Sequence, residues 1–188
     1  KMRRTLGIDN PQTNCYRLVH GEGDNLPGLI IDYYDGVAVV QAHSAGMYLS
    51  EEKICSALRH CYGSQLKAVY DKSEGTAPFK AGLDLGDKYL WKSESFTQEE
   101  SPVLENGKSF LVNWEKGQKT GFFLDQRDNR EMVGLQSRGK RVLNLFCYTG
   151  GFSIYSLAGG AESVDSVDSS KKAMELVDRN VELNGSQY

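Results

Sequence analysis

An α+β first part followed by the opening strands of a parallel α/β sheet is the fold class this sequence predicts, and three observations carry it. Residues 16–70 hold four short apolar runs, separated by turns and by one amphipathic segment. Residues 142–183 alternate strand, helix, strand, helix with short connections, the pattern of parallel strands joined by crossover helices. Between the first strand and helix of that series stands Gly150-Gly151, and Asp168 ends the next strand eighteen residues after Gly150.

The elements follow in order. Residues 1–13 read as a linker, with Asp9, Asn10 and Pro11 as breakers. Tyr16 to Val19 is a short strand, followed by turns at Gly21 to Asp24 and Pro27-Gly28. Leu29 to Tyr34 and Val37 to Gln41 are strands joined by Asp35-Gly36, a two-residue hairpin signal because such turns need positive φ. Ser50 is placed to cap a helix whose first turn carries Glu51 and Glu52. Ile54, Ala57, Leu58 and Cys61 recur at helical spacing along one face. Leu66 to Tyr70 is a strand, and residues 71–107, rich in glycine, lysine and acids, hold short strand candidates such as Tyr89-Leu90-Trp91. Phe110 to Trp114 is a strand, and Leu124 to Leu135 a helix introduced by Asp125. Val142 to Phe146, Phe152 to Ala158 and Val164 to Val167 form strand, helix and strand. Ser169 or Ser170 caps a last helix, Lys171 to Leu183, which Asn184-Gly185 is expected to end in the left-handed conformation.

Composition narrows the function classes. The 188 residues are 39% hydrophobic and 25% charged, enough for a packed core. No apolar run approaches eighteen residues, so no membrane-spanning helix or membrane partner is expected. The N-terminus does not read as a secretory signal. Four cysteines without CxxC spacing read as reduced thiols of a cytoplasmic protein, and three scattered histidines offer no metal constellation. Net charge is −3, against a globally basic nucleic-acid binder. Its distribution is uneven: residues 108–141 carry 8 basic and 4 acidic groups between two acidic flanks. That segment reads either as a solvated helix face or as a patch facing phosphates.

The chemistry centres on Val142 to Ser153, VLNLFCYTGGFS. A buried strand ends in a small turn and feeds a helix, and two glycines let the backbone turn and a ligand approach. Ligands of open α/β sheets lie at the carboxyl ends of the strands, where an acid such as Asp168 accepts hydrogen bonds from ribose hydroxyls. Neither the GxGxxG pyrophosphate cradle nor the GxxxxGK[ST] phosphate loop is present. An adenosine ligand without phosphate fits better, and S-adenosylmethionine, with its sulfonium and amino-acid end, is one. Just upstream, Gly117 to Arg130 packs Phe122 and Phe123 among acids and bases. There Gln126, Arg127 and Arg130 either face a ligand carboxylate or pair with Asp125 and Asp128 on a solvated face.

The runs QKTGFFLDQRDNR and VLNLFCYTGGFS, with VDSS at Val167 to Ser170, resemble the RNA cytosine carbon-5 methyltransferases that modify large-subunit ribosomal RNA. Tyr16 to Gly36 resembles their strand-rich central domain, so the likeness covers nearly the whole chain. The resemblance implies a three-part protein: an RNA-binding PUA domain, a central α+β domain and a Rossmann-like class I methyltransferase domain. On this chain it implies a linker at 1–13, the central α+β domain at 14–107, and the N-terminal half of the α/β methyltransferase domain at 108–188. It implies S-adenosyl-L-methionine as cofactor, ribosomal RNA as partner and a cytoplasmic setting, leaving a homodimer open. Thr120, Phe123, Gln126 and Arg130 match an element that closes over the cofactor. Phe146, Tyr148, Thr149, Gly150 and Gly151 match the cofactor turn, Asp168 the ribose acid, and Ser169 a position near the adenine.

Carbon-5 methylation of cytosine requires a thiolate to add at carbon-6 before the methyl group is accepted. The resemblance places that cysteine outside this chain, so no catalytic residue is expected within it. Cys147 reads as a small packed residue. Two alternatives stand beside this reading: methylation of an exocyclic amine by the same fold, and a non-catalytic RNA-binding module that retains the cofactor fold.

Overall fold

The computed structural model describes residues 2–78 and 82–185. The chain divides into two compact units, one of Lys1–Ser101 with Val112–Phe122 and one of Pro102–Leu111 with Phe123–Tyr188.

The first unit begins with a short helix, α1 (Met2–Thr5), and is built on β1 (Cys15–His20), β2 (Leu29–Tyr34), β3 (Val37–Ala42), β4 (Ala68–Asp71) and β5 (Lys88–Lys92). These five strands form one sheet in sequence order, and every pairing is antiparallel except β3 with β4. The Asp35-Gly36 turn joins β2 to β3 with φ of 43° and 99°, as its sequence predicts. The parallel pair needs a crossover, which α2 (Ala45–Tyr48) and α3 (Glu51–Tyr62) supply. Cys55 and Leu58 of α3 pack on Tyr16, Leu29, Ile31, Ala38, Val40 and Val69 of the sheet. Ser50 does stand before α3, but its hydroxyl donates to the Gly46 carbonyl at 2.8 Å instead of capping.

The second strand pair, β6 (Glu100–Glu105) and β7 (Lys108–Asn113), forms its own two-stranded sheet. β6 was not individually foreseen, because Glu-Ser-Pro-Val-Leu-Glu places charged and breaking residues in a strand whose Ser101, Val103 and Glu105 are buried.

In the second unit, α4 (Arg127–Gln136), β8 (Arg141–Leu145), α5 (Gly151–Ala158), β9 (Ser163–Val167) and α6 (Lys171–Asn184) follow one another. β8 and β9 pair in parallel from Arg141 opposite Ser163 to Leu145 opposite Val167. α4 starts later than expected: Asp125 lies in a 3-10 turn, Leu124–Gln126, and makes no cap. Ser170 caps α6, its hydroxyl accepting the Ala173 N–H at 3.3 Å. Gly185, expected in the left-handed region, is right-handed (φ −62°, ψ −15°), and its N–H closes on the Glu182 carbonyl at 3.1 Å. The last turn thus tightens instead of reversing. Among the described residues no helix is long and apolar enough to cross a membrane.

Two asparagines of α6 tie this unit together. Asn180 accepts the Leu111 N–H at 2.8 Å and donates to the Thr149 carbonyl at 2.8 Å. One turn on, Asn184 accepts the Ser109 N–H at 2.9 Å and donates to the Ser109 carbonyl at 2.8 Å. Both are buried.

Candidate functional site

The loop between β8 and α5 alternates backbone handedness. Phe146, Tyr148 and Gly150 have φ of 55°, 49° and 79°, and two of the three are aromatic residues in a region that disfavours bulky side chains. The strain is held by hydrogen bonds. Cys147 N–H donates to the Val167 carbonyl at 3.1 Å and Gly150 N–H to the Cys147 carbonyl at 2.8 Å. Tyr148 N–H donates to Asp168 Oδ2 at 2.9 Å, and the Thr149 carbonyl takes the Asn180 amide. Gly150 then stands at the cap position before α5, where a side chain would press on Val177 of α6 at 3.2 Å.

Asp168 stands just past β9, beside this loop. Its second oxygen, Oδ1, accepts the Ser170 N–H at 2.9 Å. The Ser170 and Tyr148 N–H groups hold its carboxyl below the ordinary value of 3.8, so it is ionised at neutral pH. A carboxylate has about four lone-pair directions, more than these N–H groups fill, so acceptor capacity remains for hydroxyls. Ser169 lies exposed next to it. Phe146 is 89% exposed at the carboxyl end of β8. Behind the loop, Asn144 donates to the Ser153 hydroxyl at 2.8 Å, which bonds the Ser166 hydroxyl at 2.7 Å, so β8, α5 and β9 are cross-linked below the turn.

The upstream run is distributed between the units. Thr120 belongs to the first, buried, with its hydroxyl donating to Asp32 Oδ2 at 2.6 Å and bonded to Tyr34 at 2.8 Å. Phe122 is buried and Phe123 half-buried. In the second unit the Phe123 ring meets the Tyr148 ring edge-on, with centroids 5.3 Å apart. Gln126 is half-buried at the end of the 3-10 turn. Arg130 is buried, and its guanidinium is taken up by Glu105 and by the Phe123 carbonyl. Phe123, Tyr148, Thr149, Gly150, Gly151 and Asp168 are therefore linked by contacts around one loop, whereas Thr120 is held by groups of the first unit. Sequence reasoning missed Glu105 and Asn180. Asn180 and Asn184, one turn apart among the buried positions of α6, were the signal for the second.

Cys147 is buried, its sulfur 3.7 Å from the Met174 sulfur. Burial and the nearby Asp168 charge push its thiol up, away from the thiolate form a nucleophile needs. Among the described residues no group of three or more His, Cys, Asp or Glu side chains is placed to hold a metal ion.

Known proteins resemble this chain over most of its length. The chain is 40% identical over 171 residues to Ribosomal RNA large subunit methyltransferase I of Yersinia pseudotuberculosis, covering 91% of this chain and 42% of that protein. It is similar, at 32% identity and a TM-score of 0.82, to a Streptococcus mutans structure assigned as a SAM-dependent methyltransferase, over 98% of this chain and 46% of the other. A second structure assigned as a methyltransferase and complexed with SAH matches at the same identity and TM-score, over 98% of this chain and 45% of the other. The chain thus spans less than half the length of these relatives. The model of the S-adenosylmethionine-dependent methyltransferases matches residues 16–188, and the chain belongs to that family.

Proposed function

We propose that this chain carries the methyl-donor site of an S-adenosylmethionine-dependent methyltransferase that acts on cytosine carbon-5 of large-subunit ribosomal RNA. The observation that carries it is Asp168: an ionised acid at the carboxyl ends of two parallel strands, oriented by two backbone N–H groups, with lone pairs left for a ribose. The residues fit the cofactor. The turn has a single strained loop and no glycine-rich phosphate cradle, which suits a nucleoside joined to an amino acid. In this reading Asp168 binds the ribose hydroxyls and Ser169 borders the adenine. Phe146, Tyr148 and Phe123 wall the site, and the Thr149-Gly150-Gly151 backbone keeps the turn thin. Of the residues that the resemblance assigns to a closing element, Gln126 stays a candidate contact, whereas Thr120 is held by Asp32 and Tyr34 and Arg130 by Glu105 and the Phe123 carbonyl.

When bound, the cofactor supplies an electrophilic methyl group on a sulfonium. The chain's own residues orient the nucleoside and exclude water. The family resemblance implies that the thiolate adding to cytosine comes from outside this chain, and Cys147, buried with its thiol pushed up, does not suit that role. The organisation that goes with this reading is a linker at 1–13, a central α+β domain at 14–107 and the first part of a Rossmann-like domain at 108–188. The exposure of Leu143, Leu145 and Val167 on the β8–β9 pair supports a sheet that continues in a longer protein, since parallel sheets are buried on both faces. Ribosomal RNA as substrate rests on the curated relatives, and carbon-5 of cytosine on the resemblance of the two motif runs. The protein acts in the cytoplasm.

The test is calorimetric titration of the full-length protein with S-adenosylmethionine, followed by transfer of labelled methyl to large-subunit RNA with mapping of the modified atom. Binding and carbon-5 label are expected. No heat at millimolar cofactor refutes the donor site, and label on an exocyclic amine moves the acceptor chemistry to the amine reading. Removing Lys or Arg charges between Lys108 and Arg141 is expected to weaken RNA binding and flatten its salt dependence.

A further inference from the structure

A buried ion pair lies beneath the cofactor turn. Arg130 of α4 and Glu105 of β6 are 2% and 0% exposed at their side chains. Arg130 Nε donates to Glu105 Oε1 at 2.9 Å and Nη2 to Oε2 at 2.7 Å, two parallel bonds. The third nitrogen, Nη1, donates to the Phe123 carbonyl at 3.0 Å. Glu105 Oε1 also accepts the Tyr155 hydroxyl of α5 at 3.1 Å. The stem of the arginine runs directly under the turn: a Cβ on Gly151 would lie 2.9 Å from Arg130 Cδ.

The geometry points to Glu105 and Arg130 as a positioning pair for the methyl-donor site, setting Phe123 and the Gly151 end of the turn without touching the cofactor. The inference rests on the reading that this turn holds S-adenosylmethionine, and it gives Arg130 a role different from direct binding. All three guanidinium nitrogens donate to protein acceptors and the side chain is 2% exposed, so the group is enclosed by protein and not presented to a ligand carboxylate. What it grips is the peptide that carries the Phe123 ring, and that ring stands edge-on against Tyr148 in the turn. Glu105 fixes the direction of the fork, and Tyr155 fixes Glu105.

Packing alone does not call for these residues. Two charges removed from water lose hydration that their mutual attraction only partly returns, and apolar pairs of similar volume are often as stable. A guanidinium offers what an apolar pair lacks: a planar set of donors with fixed directions, two for a carboxylate and one for a carbonyl. Lysine keeps the charge and loses the fork. Gly151 follows from the same arrangement, because only a residue without a side chain lets the turn rest on the arginine stem.

The experiment separates fold from position in the full-length protein. SAH affinity is measured by calorimetry and stability by thermal melting for the parent, Arg130→Met, Glu105→Leu, the double variant, and Arg130→Lys. Each single apolar change leaves a buried charge unpaired and is expected to lower the melting temperature. The double variant is expected to recover most of that loss yet bind SAH at least tenfold more weakly than the parent. Arg130→Lys, which retains a cation opposite Glu105, is expected to melt near the parent and show the same weakening. A merely structural pair would move stability and affinity together. If the parent binds SAH and either the double variant or Arg130→Lys binds it as tightly, the positioning role is overturned while the donor site stands. If the parent does not bind SAH, the donor site is refuted and this inference falls with it.

Discussion

Replacing Asp168 by alanine removes two things at once, and the structure allows them to be weighed separately. The first is local. The carboxylate accepts the Tyr148 and Ser170 N–H groups at 2.9 Å each, and the residue is half-buried, so water can reach the donors left behind. The loss of folding stability then falls near the low end for hydrogen bonds to a charged group, about 1–2 kcal/mol. The second is the ligand contact. A carboxylate accepting from ribose contributes about 1.5–3 kcal/mol, which is roughly 10- to 150-fold in Kd. Asp168→Asn divides the two, since its amide oxygen still accepts one N–H while the charge is gone. The pH dependence has a definite sign. The folded carboxyl sits below the ordinary 3.8, so the stability it contributes is present above that pH and is lost as pH falls through the folded value. The assay is SAH calorimetry at pH 7 paired with thermal melting from pH 3 to pH 7. An Asp168→Ala protein that stays folded and binds SAH within about twofold of the parent would refute the assignment of this acid to the site.

Asp71, buried in β4, has its carboxyl pushed up to about 6, by burial first and by Glu51 as well, against the Ser73 hydroxyl bond. Its favourable contribution is complete below pH 3.8 and lost as pH rises through about 6, so Asp71→Asn should raise the melting temperature at pH 7.5 and flatten its fall above pH 4; an unchanged pH slope counts against it. Gly159 closes α5 where a Cβ would lie 1.9 Å from the Gly134 carbonyl oxygen. Gly159→Ala should therefore cost about 1–3 kcal/mol or more from overpacking, and an unshifted denaturant midpoint would contradict that contact. Of the four cysteines only Cys61 is exposed, so a native-state thiol titration should show one fast thiol and three that react only on unfolding. Fast labelling of Cys147 would overturn its burial.

Local chemistry explains what was legible in the sequence. Asp35-Gly36 between two apolar runs specified its hairpin because few residues adopt positive φ twice in succession. The run from Val142 to Asp168 showed its strand, turn, helix and strand because its apolar runs and the glycine pair agree, although β8, expected to be buried, leaves Leu143 and Leu145 exposed. Arg130 illustrates the opposite case. Its spacing beside Gln126 and Arg127 placed it on a helix, but the direction of its fork depends on Glu105, twenty-five positions upstream in a strand whose sequence reads as loop. Nothing within a single helix turn carries that information. Thr120 is similar: its motif position suggested the cofactor, while its hydroxyl is held by Asp32 and Tyr34, far away in sequence. Ser50 and Gly185 departed from cap chemistry because competing carbonyls, those of Gly46 and Glu182, lay within reach.

The amides of Asn180 and Asn184 have a consequence beyond holding Thr149. They occupy the Ser109 N–H and carbonyl and the Leu111 N–H, groups through which β7 would otherwise recruit another strand. In the folded chain α6 covers that border of the ribbon with side-chain amides, which satisfy its backbone groups without extending the ladder. Leucine at both positions would keep the helix and reopen the border.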